Sequence, residues 1–257
     1  MTMRYAVLST GLLMAVAAQA HAQAVQLRFR PPVGQVTRYR TVNQVWATSD
    51  TSVAPMSSTL YTTRTIMAMD GPNYVVRTVM DSTVTAMPAG GAGRTGAGTD
   101  MMRGMTITQH TDPRGRVLSS EVTPPPGLPP IVANMLQRNS GSNSNSKVAV
   151  MPEGPISPGY TWTDSMVSST SAGRGRQTQV VFIVTYKLER VQRTAGGRLA
   201  IVSMNGSQQG GLTGTVTGDM ALDLDAGRLA HMVTNMTLPA QEGGGVMRMR
   251  MTMETLP

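Results

Sequence analysis

Methionine is the residue type in this chain with the most unusual chemistry to offer. Twenty-two of 257 residues are Met, against two Phe and no Cys. Met101, Met102 and Met105 fall in a Gly-rich stretch, where three soft thioethers close together would suit Cu(I). The run Met247-Arg248-Met249-Arg250-Met251-Thr252-Met253 alternates strictly, so on a strand its sulfurs share one face. The competing reading makes methionines core residues that fill gaps where Phe and Ile are scarce. The charged opposite face of the 247–253 run fits a core position, which leaves the loop methionines as the Cu(I) candidates. No metal and no cofactor is otherwise expected.

Arginines provide the second chemistry. Arg-x-Arg recurs at Arg28/Arg30, Arg38/Arg40, Arg114/Arg116, Arg174/Arg176 and Arg248/Arg250. On a strand each pair puts two guanidinium forks on one face, a grip for phosphate or carboxylate. Arg38, Arg40, Arg114 and Arg116 are the anion-binding candidates; a solvated strand face serving solubility is the alternative. Catalytic residues are sparse. His110 and Asp112 could share a strand face near Ser119 and Ser120, but Asp112 heads an Asp-Pro-Arg-Gly turn, where Asp bonds its own backbone. No nucleophile elbow, P-loop, dinucleotide fingerprint or zinc-protease motif occurs, and Asp223 with Asp225 lacks the further oxygens of a calcium loop. A non-catalytic protein is expected.

The elements that must position these groups are strands. Residues 1–22 read as a secretory signal: Arg4, an apolar run from Tyr5 to Ala18, and Ala20-His21-Ala22 for cleavage. That run is shorter than the ~20 residues a spanning helix needs, and nothing later is apolar enough to span. The expected product is exported and soluble, in the periplasm or outside the cell. Without Cys it has no disulfide and no lipidated N-terminal cysteine. The formal charge of +8 includes Arg4, so cleavage leaves +7. In that compartment an anionic envelope surface or envelope protein is the expected charged partner, and nucleic acid is not.

Beyond the signal the hydrophobic period is two. Tyr74, Val76, Thr78, Met80, Ser82 and Val84 are expected on one face, as are Val180, Phe182, Val184 and Tyr186, and Met220, Leu222 and Leu224. Asp70-Gly71-Pro72-Asn73, Asp112-Pro113-Arg114-Gly115, Ala195-Gly196-Gly197 and Asp225-Ala226-Gly227 read as hairpin turns between strands. Gly34 to Gly71 and Gly159 to Gly196 are both 37 residues; onward to Gly115 and Gly227 the distances are 44 and 31. The excess coincides with a flexible Gly-rich insertion at 86–104, which suggests a duplicated β unit. The expected layout is a first unit at 23–123, a Pro/Ser/Asn-rich crossover at 124–158 with a short helix at 131–138, and a second unit at 159–257. The fold class is all-β: two antiparallel meanders forming a curved sheet, half-barrel or sandwich.

Leu27-Arg28-Phe29-Arg30-Pro31-Pro32-Val33-Gly34, Thr111-Asp112-Pro113-Arg114-Gly115-Arg116-Val117 and Met151-Pro152-Glu153-Gly154-Pro155-Ile156-Ser157-Pro158-Gly159, with Trp162, resemble an uncharacterised family of secreted bacterial all-β proteins. Met151 and Ile156 stand where that pattern usually has Leu and Val. The resemblance implies a secreted β fold and no known activity. The half-barrels of periplasmic lipoprotein carriers are similar in architecture alone. The leading functional expectation is a lipid or other apolar or amphipathic ligand on a Met-lined concave face. Met67, Met69, Met135, Leu136, Phe182, Met249 and Met251 are the candidate ligand contacts, with the helix at 131–138 closing the face. A structural or protein-interaction module of the envelope is the alternative.

Overall fold

The computed structural model describes residues 24–46, 54–86, 102–134, 150–172, 176–209, 214–239 and 246–257. The expected signal, the polar tract at 139–147 and most of the 86–104 insertion lie outside the described residues. Eleven strands follow one another: β1 (Val36–Trp46), β2 (Met56–Asp70), β3 (Asn73–Ala86), β4 (Thr106–Thr111), β5 (Val117–Thr123), β6 (Thr161–Ala172), β7 (Arg176–Thr194), β8 (Gly197–Gln208), β9 (Thr215–Asp223), β10 (Arg228–Pro239) and β11 (Val246–Thr255). They form a single antiparallel sheet in the order β5-β4-β3-β2-β1-β11-β10-β9-β8-β7-β6. Each half is a meander. The last strand returns to pair with the first, Tyr39 opposite Thr255 and Val45 opposite Met249, which joins the halves into one open sheet.

The same local geometry occurs twice. Gly34 N–H donates to the Ile66 carbonyl at 2.8 Å, and Gly159 N–H to the Leu188 carbonyl at 2.7 Å. Both glycines sit at positive φ, 85° and 91°. A register shift follows Ile66 in the β2–β3 ladder and Leu188 in the β7–β8 ladder. Asp112 Oδ1 then accepts the Arg114 and Arg116 amides, while Asp223 Oδ1 accepts those of Asp225 and Ala226. Thus β1–β5 correspond to β6–β10, and β11 is the additional strand inserted between them.

Alternation places one set of side chains on the inner face and corrects one sequence expectation. Tyr74, Val76, Thr78 and Met80 do share that face, opposite Met69, Ile66, Arg64 and Thr62 in turn. A bulge at Asp81 then rotates β3 by one residue, because Tyr61 and Thr62 pair with Ser82 and Met80. Ser82 and Val84 therefore face outward, and Val84 is 58% exposed.

The inner face differs between the halves. On the second half Val184, Tyr186, Leu188, Ala200, Val202, Val216 and Leu222 build the main core. The N-terminal strap covers it: Val25 exchanges backbone hydrogen bonds with Ile156 at 2.8 and 2.9 Å, and Leu27 is fully buried. The strap continues as Phe29 N–H to the Pro113 carbonyl and Arg30 N–H to the Gly227 carbonyl. Phe29 then seeds a smaller cluster with Ile66, Tyr74 and Val76. Residues 150–153 link the sheet's two edges. Met151 N–H donates to the Arg114 carbonyl in the β4–β5 turn, while Val150 meets Asp164 and Trp162 of β6.

The lid expected from the crossover helix is corrected in its described part. One helical turn spans 130–134, and Ile131 is 82% exposed instead of seated on the sheet. The strap and the crossover's end cover the inner face in its place, because they bring Val25, Leu27, Phe29 and Ile156 in extended conformation, with alternate side chains pointing inward.

Candidate functional site

A cleft of about 280 Å³ opens on the inner face where the two halves meet. Its apolar wall is set by register: Met220 of β9 lies opposite Met232 of β10, which lies opposite Met253 of β11. Leu222, Leu229, Trp162, Met151 and Phe29 complete that wall. Trp162 is fixed by donating Nε1–H to the Val150 carbonyl at 3.1 Å and by stacking on Tyr186 at 5.4 Å. Burial, reinforced by the Asp164 charge, pushes the Tyr186 hydroxyl up and keeps it neutral.

The facing wall is polar: Tyr39, Thr62, Arg64, Thr78, Gln109 and Thr111. Arg64 lies inward because it alternates with Thr62 and the buried Ile66, opposite Thr37 on β1 and Thr78 on β3. Its guanidinium sits 5.1 Å from the centre of the Phe29 ring, a cation–π arrangement. Burial lowers its pKa, opposed by the Tyr39 hydroxyl. Burial raises the Tyr39 hydroxyl, while Arg64 and Arg228 pull it the other way. Tyr39 Oη–H donates to the Leu229 carbonyl at 3.3 Å. Two buried polar atoms of this wall, Arg64 Nε and Thr111 Oγ1, have no hydrogen-bond partner among the described residues.

The candidates from sequence fall on several parts of the fold. Met249 and Met251 do point inward, opposite Val45 and Asn43, but Met249 packs against the main core and the cleft is reached by Met253. Phe182 is fully buried in that core, away from the cleft lining. Met67 and Met69 stand near the tip of the β2–β3 hairpin, 47% and 50% exposed: Met67 is the unpaired bulge residue, and Met69 pairs with the inward Tyr74 but lies beyond the cleft lining. Met135 and Leu136 lie outside the described residues. Among the copper candidates, Met101 is also outside, and Met105 is a core residue whose carbonyl accepts the Met80 amide.

The four anion-binding arginines fall in two separate places, although Arg114 and Arg116 line one cleft with Glu153 and Asp164. Arg38 and Arg40 lie on the outer face of β1, and Arg40 pairs with Glu254 at 2.7 Å. Arg114 and Arg116 belong to a turn, not a strand face; Arg114 pairs with Glu153 at 2.9 Å and Arg116 approaches Asp112 at 3.8 Å. His110 Nδ1 faces Asp70 at 3.6 Å instead of Asp112. Among the described residues no three His, Asp or Glu side chains cluster as a metal site, and no helix is long and apolar enough to cross a membrane.

Sequence reasoning missed Arg64, Tyr39, Thr111, Trp162 and the row of Met220, Met232 and Met253 as a common site. One signal was present. In Thr62-Thr63-Arg64-Thr65-Ile66 a charged residue occupies the register of an inward apolar one, which on a half-buried strand marks a special position. No protein-family model matches the chain, and a search of curated proteins finds no match either.

Proposed function

We propose that this is an exported, non-catalytic protein that binds an apolar or amphipathic small molecule in the cleft between its halves. The observation that supports this reading is the apolar row of Met220, Met232 and Met253, which lines the cleft at the border of the main core to which Met220 belongs. Methionines accept ligands of varied shape, because the thioether chain is flexible and polarizable. Pockets that take small molecules are mostly apolar with a few placed polar groups. The cleft has that composition. Export rests on the N-terminal sequence, Arg4 followed by an apolar run and Ala20-His21-Ala22.

Trp162 provides the test. In a Trp46→Phe variant it is the sole tryptophan, since the chain has two. A bromoalkane should then quench its emission saturably, and native mass spectrometry of protein purified without detergent should carry an added small-molecule mass. Absence of both saturable quenching and added mass overturns the reading.

A second reading, an envelope interaction module, is favoured by the two sheet edges, β5 and β6, whose outer backbone groups have no ladder partner among the described strands. Pull-down of a defined envelope protein, lost on placing Pro in β5, would support it over the cleft.

A further inference from the structure

We infer that the occupant of the cleft is a single-chain amphiphile with an anionic head, its carboxylate or phosphate oxygen lying against Arg64. This inference rests on the binding reading above and names the ligand class.

Charge distribution is the first argument. Arg40, Arg114, Arg116 and Arg198, all toward the surface, each have a carboxylate within 4 Å. Exposed arginines such as Arg38, Arg77 and Arg250 have none but remain solvated, whereas Arg64 and Arg228, turned toward the seam of the two halves, have none among the described residues where water is excluded from their Nε atoms. Arg228 donates to Thr37 Oγ1 at 2.7 Å, and its Nε, like that of Arg64, is buried without a partner. Both cations bear on the Tyr39 hydroxyl, which lines the same cleft as Arg64. Proteins pair buried charges or leave them for a ligand to pair. Guanidinium matches a planar carboxylate or a phosphate by parallel N–H bonds.

The second argument is the division of the walls. The anion would meet Arg64, with the unpartnered Thr111 hydroxyl on the same polar side, while the apolar body faced Met220, Met232 and Met253. Phe29 beneath the Arg64 guanidinium restricts its position, so less freedom is lost on binding. Size is the third argument. At about 280 Å³ the cleft lies at the lower limit of ordinary ligand pockets, roughly 300–1,000 Å³, which suits one alkyl chain and not two.

The experiment uses protein expressed from the 257-residue sequence and four probes: dodecanoate, dodecyl phosphate, dodecanol and inorganic phosphate, titrated by calorimetry at low salt. At least one of the two anionic amphiphiles should bind about tenfold or more tighter than dodecanol, equivalent to about 1.4 kcal/mol. The tighter of the two identifies the head as carboxylate or phosphate ester. Arg64→Met should abolish that preference while changing dodecanol affinity less than about threefold, and Arg64→Lys should retain part of it. Dodecanol binding as tightly as both anions in the unmodified protein, or an unchanged preference in Arg64→Met, overturns the anionic head and leaves the cleft reading standing. Inorganic phosphate binding as tightly as dodecyl phosphate overturns the amphiphile. If none of the three dodecyl compounds binds, this inference and the cleft reading both fall. Should Arg64→Met not fold, the anion-to-alcohol ratio in the unmodified protein and in Arg64→Lys decides.

Discussion

Substituting Gly227 by Ala isolates the seating of the N-terminal strap from ordinary turn strain. Gly227 has φ +62°, and a Cβ there would lie 2.5 Å from the Arg30 carbonyl carbon and 2.7 Å from its nitrogen and oxygen. Those are backbone atoms, so the strap itself must move. Gly71 is the matched control: its φ is +58°, and nothing lies within 4 Å of the added carbon. Both substitutions incur the left-handed penalty of about 1–2 kcal/mol. Only Gly227→Ala also disrupts the 3.0 Å bond from Arg30 N–H to the Gly227 carbonyl, worth roughly 0.5–1.5 kcal/mol net. Lifting the strap also loosens its own inward side chains, Phe29 and Leu27, both of which are buried. The expected destabilisation is about 1.5 kcal/mol for Gly71→Ala and about 2.5 kcal/mol for Gly227→Ala, on these increments. Urea unfolding gives both values, and hydrogen exchange at the Phe29 and Arg30 amides reports the strap directly. Equal destabilisation with unchanged exchange would refute the close crossing of strap and turn.

The other predictions concern burial and charge. Leu27→Ala should cost about 2–5 kcal/mol, since Leu27 is fully buried under the main core, whereas Gln26→Ala beside it should cost less than about 0.5 kcal/mol. Comparable urea midpoints for these two variants would show that the strap is not part of the core. Met105→Ala should destabilise by about 2–5 kcal/mol, and Met67→Ser with Met69→Ser by less than about 0.5 kcal/mol each, because only Met105 is buried. Thermal melts of the three variants check the order. Arg198 donates to Asp225 Oδ1 at 2.7 and 3.0 Å and holds that carboxyl below the usual range. A depressed folded-state pKa stabilises above the unfolded value, near 3.9, and that contribution disappears as pH falls through the folded value. Asp225→Asn should therefore flatten the acid limb of stability below about pH 4, and salt should shrink the difference. Parallel acid limbs in unfolding between pH 2.5 and 5 would exclude the linkage.

Much of this architecture was legible because local chemistry dictates it. Strict alternation in Met247–Met253 permits one strand with sulfurs on one face, and the register with β1 and β10 follows that pattern. Asp112-Pro113-Arg114-Gly115 forms its turn because Asp112 bonds amides two and four residues on, wherever the segment sits. The site was less legible, for reasons visible in particular residues. Asp81 adds one residue to β3, and a one-residue shift moves Ser82 and Val84 to the opposite face without altering composition. Met67 and Met69 looked equivalent to inward methionines, but a second shift after Ile66 leaves Met67 unpaired, and Met69, although opposite the inward Tyr74, is exposed beside the hairpin turn.

From the sequence alone came the all-β class, the turns, the two similar units and the inward set of the last strand. Each depends on residues within a few positions of one another. Tertiary structure alone decided that β11 pairs with β1, that the strap with Leu27 and Phe29 covers the inner face, and that Arg64 confronts Met220, Met232 and Met253. Those contacts join positions about 40 to 220 apart in the chain. They depend on accumulated twist and on which bulge rotates which strand, and neither is encoded in the period of any single segment.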